Sequence, residues 1–126
     1  MIVRAPATSA NLGPGFDCAG VALDLWNELE LTEGDGVSVE GEGAGELPED
    51  DSNLAVRAYS LVADPAGRRC RFVNRIPLES GLGSSAAAIA LGLRAAAPEA
   101  SAEELLGLAR TLEPHADNLA AALDMI

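Results

Sequence analysis

Apolar and polar residues alternate over residues 22–32 and again over 69–76, the two-residue period of a half-buried strand. In the first stretch Leu23, Leu25, Asn27, Leu29 and Leu31 share one face, with Asp24, Glu28 and Glu30 on the other. In the second, Cys70, Phe72 and Ile76 fall together. Residues 2–7 read as a first strand, and 37–40 as a short one after the turn Gly34-Asp35-Gly36. Elsewhere the spacing becomes helical. Leu54, Ala58, Leu61 and Val62 mark a helix over 53–63, with Ser52 as its expected cap. An Ala-rich helix runs over 84–97 and stops before Pro98. Ser101 and Glu104 form a capping box that opens a third helix through Leu105, Leu108, Ala109 and Leu112. Residues 117–123 read as one more helical stretch. Interleaved strands and helices predict an α/β fold: a two-layer, α+β arrangement with a mixed sheet and helices on one face.

At 126 residues the chain has room for one domain, and with 48% hydrophobic residues it can fill a core. The net charge is −12. Ten of the twenty acids lie within 28–51, and no basic residue falls between Arg4 and Arg57. This segment is expected to be a solvated acidic hairpin and loop, balanced in part by Arg57, Arg68, Arg69, Arg71 and Arg75. Such a surface repels phosphate backbones and anionic lipid, so nucleic acid and membranes are not expected partners.

All eight basic residues other than histidine are arginine. The absence of lysine excludes Schiff-base chemistry, a pyridoxal-phosphate lysine and a Walker A lysine. A phosphate site here must use backbone amides, arginine, hydroxyls or a metal. Cys18 and Cys70 lie 52 positions apart, outside any zinc-ligand spacing. They read as reduced thiols, with a disulfide between them left open. The start carries no targeting pattern, and no 18-residue apolar run exists, so a cytoplasmic location is expected.

The segment Pro77-Leu78-Glu79-Ser80-Gly81-Leu82-Gly83-Ser84-Ser85-Ala86-Ala87 joins a predicted strand to a predicted helix. Its glycines permit a tight turn and close approach of a ligand. The helix then opens at a serine pair, with free amides and the positive dipole end facing the loop. That is an anion site built without lysine, and the hydroxyls suit a magnesium ion held by phosphates. Two other readings compete. One is a plain turn before a tightly packed helix. The other is a dinucleotide fingerprint, since Gly81, Gly83 and Ala86 fit G-x-G-x-x-A. Pro77 before the first glycine and the helical setting of Glu103 and Glu104 speak against the latter.

Two more segments carry polar groups on loops. Pro6 to Gly20 reads P-A-T-S-A-N-L-G-P-G-F-D-C-A-G, and Glu113 to Asn118 groups two carboxylates, His115 and an amide. His115 alone more often caps than catalyses.

These segments, in this order, resemble the homoserine kinases of the GHMP kinase superfamily. Pro6 to Gly20 match that family's opening motif throughout, and Pro77 to Ala86 meet its P-x-x-x-G-L-G-S-S-A loop. Asp51-Ser52-Asn53-Leu54 match its D-S-N-L, while the third segment has Pro114 where the family has Gly. The resemblance implies the fold of the family's N-terminal domain, similar to ribosomal protein S5 domain 2. It also implies that 1–126 is the ATP-binding domain, with the C-terminal domain and its substrate-carboxylate arginines absent from this chain. The implied activity is phosphoryl transfer from ATP, with Mg²⁺, to the side-chain hydroxyl of L-homoserine in threonine biosynthesis.

Roles follow by the same resemblance. Pro77, Ser80, Gly81, Leu82, Gly83, Ser84, Ser85, Ala86 and Ala87 would wrap the triphosphate. Asn53 would contact the adenine edge. Ser84 or Ser85, with Glu113, would hold Mg²⁺. Asp17 would pair with the substrate ammonium, and Asn11 and Asn118 would orient its hydroxyl, with Asp117 close by. Asn118, being an amide, cannot take the hydroxyl proton, which would pass directly to phosphate. A non-catalytic nucleotide-binding remnant, or a GHMP kinase for another small alcohol, remain alternatives, and a homodimer is an open assembly. Gly83→Val is expected to abolish nucleotide binding while keeping the fold.

Overall fold

A computed structural model describes residues 1–9, 21–78, 83–113, 119–123 and 125–126. Among them, strands β1 (Ile2–Ser9), β2 (Val21–Glu33), β3 (Val37–Gly41) and β4 (Arg68–Asn74) form one sheet in the order β1-β2-β4-β3. The β1/β2 and β2/β4 pairs are antiparallel and β3/β4 is parallel, so the sheet is mixed, as expected. Helices α1 (Leu54–Ser60), α2 (Ser84–Ala96), α3 (Ala102–Ala109) and α4 (Ala120–Leu123) complete the described elements.

The alternation of β2 decides which face is covered. Register aligns Val3, Leu29, Phe72 and Val39 across the strands, and all four are buried. Helices α2 and α4 pack on β1 and β2. The opposite face carries charge. Arg4 pairs with Glu28 at 2.9 Å, and Arg71 reaches Glu40 at 2.6 Å and Glu30 at 3.5 Å. Exposed pairs of this kind stabilise little, but they specify which strands are neighbours.

That charge pattern explains a correction. The acidic stretch is not a hairpin, because β3 does not pair with β2. Strand β4 lies between them. Arginine on β4 meets glutamate on both flanks, whereas direct β2/β3 pairing would set Glu28 and Glu30 beside Glu40. Cys70, also on β4, is a free, buried thiol; Cys18 lies outside the described residues.

Three helix ends also differ. The cap of α1 is Asn53, whose Oδ1 accepts from the Ala55 amide at 3.0 Å. Ser52 instead donates its own amide to Asp50 Oδ1 at 2.8 Å. Helix α1 ends at Ser60, and α3 ends at Ala109 rather than near Leu112. Past Ala109 the chain tightens, with Leu112 N–H on the Ala109 carbonyl at 3.0 Å and Thr111 Oγ1 on the Leu108 carbonyl at 2.7 Å. Ser101 caps α3 as its capping box predicts.

Asn53 Nδ2 also donates to the Pro48 carbonyl at 3.0 Å. Asn53→Ala therefore removes a cap and a loop tie together. It is expected to destabilise the chain by about 1–2 kcal/mol, read as a lower midpoint in chemical denaturation.

Candidate functional site

Strand β4 leaves the sheet after Asn74. The next amides, Arg75 and Ile76, both donate to Asn27 Oδ1, at 2.7 and 2.9 Å. Ile76 is fully buried, and Pro77 and Leu78 follow it. Glu79, Ser80, Gly81 and Leu82 lie outside the described residues.

The chain resumes at Gly83, the N-cap of α2, with φ +77° and ψ 37° and no side-chain cap bond. Only a residue without a Cβ fits there. A Cβ would run into Thr8 Oγ1, and Thr8 is buried at the end of β1. The helix start is thus docked on the strand that leads into the opening motif.

Ala87 N–H donates to the Gly83 carbonyl at 2.9 Å and opens the helical ladder. The amides of Ser84, Ser85 and Ala86 precede that ladder and have no intrahelical acceptor. Two members of the expected phosphate loop are therefore not amide donors: Pro77 has no N–H, and that of Ala87 is already used.

A cavity of about 200 Å³ lies between the sheet and this helix start. Phe72, Leu91, Leu54 and Leu78 give it apolar walls, and Asn27, Asn53, Ser84 and Ser85 supply polar groups. It is smaller than the roughly 300–1,000 Å³ of drug-sized sites, so it suits one ring system rather than a whole nucleotide. Asn53 lines it, but with its oxygen on Ala55 and one amide hydrogen on Pro48.

Ser85 also lines a second cavity of about 270 Å³, together with Glu113. Among the described residues, Ser85 rather than Ser84 therefore shares a hollow with that carboxylate. A serine hydroxyl and a carboxylate are hard oxygen donors, the kind that suits Mg²⁺. No described group of three or more His, Cys, Asp and Glu could hold a metal by itself, so phosphate oxygens would have to complete the shell.

A cavity of about 630 Å³ lies away from the start of α2. Asp35, Glu49, Asp50, Asp51 and Asp64 line it against Arg68 alone, a charge balance that opposes phosphate. Cys70 also lines it, but burial, with the Asp51 charge adding, pushes its thiol up and away from the reactive thiolate.

Asn11, Asp17, His115, Asp117 and Asn118 lie outside the described residues, as do the loop members already named. Sequence reasoning passed over Asn27 and Thr8. The signal for Asn27 was present, since an amide stands at an inward position of β2 where its neighbours are leucine.

A family model described as the GHMP kinases N terminal domain matches residues 53–124. A homoserine kinase of Clavibacter michiganensis is 48% identical over 136 aligned residues, covering 96% of this chain and 43% of the relative. One from Caldanaerobacter subterraneus is 43% identical, covering 97% and 43%. A solved structure from Listeria monocytogenes, provisionally assigned as a homoserine kinase, superposes with a TM-score of 0.78 at 37% identity, covering 94% of this chain and 45% of that one. The mevalonate kinase of Methanococcus jannaschii, at 17% identity and a TM-score of 0.72, shares the fold. The chain spans less than half the length of the curated relatives it matches. It belongs to the GHMP kinases, matching their N-terminal domain.

Proposed function

We propose that the chain is the N-terminal, ATP-binding domain of a homoserine kinase, which transfers the γ-phosphoryl group of ATP to the side-chain hydroxyl of L-homoserine. The observation that carries this is the apolar cavity ending against Ser84 and Ser85 at the uncapped start of α2. A base fits the cavity, and the phosphates then fall on amides that have no helical partner.

The remaining roles follow from that placement. The second amide hydrogen of Asn53 faces the base. Gly83, Ser84, Ser85 and Ala86 donate amides to the phosphates, with Ser80, Gly81 and Leu82 closing the loop. Ser85 and Glu113 hold Mg²⁺, which when bound neutralises charge on the phosphate oxygens. Asp17 takes the substrate ammonium, and Asn11 and Asn118 aim the hydroxyl, with Asp117 beside them. As the hydroxyl oxygen bonds to phosphorus and the bond to ADP breaks, the hydroxyl proton passes to a phosphate oxygen. Positioning supplies most of the rate in such a transfer.

The carboxylate-binding arginines and the second wall of the substrate site belong to a C-terminal domain. The cytoplasm is the proposed setting; no described helix is long and apolar enough to cross a membrane.

The test uses a full-length counterpart. Asp17→Asn is expected to raise the homoserine KM about 10- to 100-fold, the worth of a lost charged hydrogen bond, with the ATP KM unchanged. Glu113→Gln is expected to lower kcat and raise the magnesium requirement, because an amide is a poorer ligand. If both variants acted only through a lower Tm, these residues would be loop fasteners and the substrate assignment would fall.

A further inference from the structure

We propose that Asn27 is a positioning residue for the nucleotide, and that its carboxamide sets where the glycine loop begins. The proposal rests on the nucleotide-site reading above and extends it to a strand that reading does not use.

The β2/β4 ladder ends at the pair Glu28 and Val73. One position further along β2 stands Asn27, 3% exposed, at the point where the partner chain departs from the sheet. Arg75 and Ile76 lose their ladder acceptors there, and Asn27 Oδ1 takes both amides, at 2.7 and 2.9 Å. One oxygen accepting two successive N–H groups forces the backbone to wrap around it. Ile76, 0% exposed, anchors the same turn, and Pro77 fixes φ one residue later. The stretch leading into 79–82 is therefore held at three successive residues.

Packing does not require an amide at this position. Leu23, Leu25, Leu29 and Leu31 occupy the other inward positions from 23 to 31, and the core accepts leucine at each. The polarity of Asn27 serves the turn. Its location agrees, since Asn27 lines the same cavity as Asn53, Ser84 and Ser85. A shift of residues 75–78 would move the near wall of that cavity and the loop entrance together.

A positioning role predicts a selective loss. In the 126-residue chain with Mg²⁺, ATP and adenosine affinities are measured by titration for wild type, Asn27→Leu and Asn27→Ser. Wild type is expected to favour ATP. In Asn27→Leu the ATP dissociation constant is expected to rise at least tenfold while that of adenosine stays within about twofold. Asn27→Ser keeps a shorter acceptor and is expected to fall between, and it carries the test should the leucine variant not fold. Val39→Ala, a core truncation on β3, is the control, and lower stability alone should leave its ATP-to-adenosine ratio at the wild-type value. An unchanged ratio in the folded Asn27 variants, or an equal loss in Val39→Ala, overturns the proposal and leaves the nucleotide site standing. Wild type that does not prefer ATP overturns the site reading, and this proposal with it.

Discussion

Gly83→Val is expected to cost the chain its stability and its hold on nucleotide together. At φ +77° a β-branched residue sits in the left-handed region, which costs about 1–3 kcal/mol. Its Cβ is also directed at Thr8 Oγ1. Thr8 is buried on β1 and has little room to give. Helix α2 must then lift from β1, so the packing loss adds to the strain. A drop in Tm on the order of 10 °C is expected in a thermal melt. The close approach to Thr8 adds a stability cost to the loss of binding expected from sequence, because the glycine serves the protein's own packing whether or not ligand is present. Ser85→Ala is the cleaner probe. Ser85 is exposed on the first turn of α2, so its loss should weaken magnesium-dependent ATP binding with the Tm nearly unchanged. An unaltered melt for Gly83→Val would contradict the close approach to Thr8.

Gly92→Ala is expected to be the second large effect, and it acts on α1. Gly92 is buried in α2, where that helix crosses α1. A Cβ there would collide with the Ala55 carbonyl and sit 2.9 Å from Ala58 Cβ. Both neighbours are α1 backbone or its shortest side chain, so no side chain can rotate away. Alanine is the better helix former by nearly 1 kcal/mol, yet overpacking of about 1–3 kcal/mol should win. The helices must separate, and Asn53 to Ala55, which line the 200 Å³ cavity, move with α1. Lower Tm and weaker nucleotide binding are expected together. A stabilised variant would mean that the helices part at no cost.

Much of the fold was legible because its strands obey a strict period. Leu29 and Phe72 face the core because they alternate with Glu28, Glu30 and Arg71. The capping box at Ser101 has a local hydrogen-bond cause and was found locally. Strand order was not legible. Nothing near Val39 says that Phe72, a sequence distance of 33, becomes its neighbour; the pairing of Arg71 with Glu30 and Glu40 is a long-range fact. The cap of α1 was misread because Ser52 and Asn53 are both good caps, and only the conformation at Asn53 decides between them. The glycine loop announced itself by composition. What holds it did not, because Asn27 and Thr8 reach it from strands 49 and 75 residues earlier than Ile76 and Gly83.

By the function proposed above, the start of α2 and the cavity beside it hold the phosphates and base of ATP. Calorimetric titration of MgATP into the chain tests it most directly. Saturable one-to-one binding is expected, weakened when magnesium is withdrawn and weakened further for adenosine, with no homoserine phosphorylation by this chain alone. Absence of binding at millimolar MgATP, or NAD⁺ bound in its place, would contradict it.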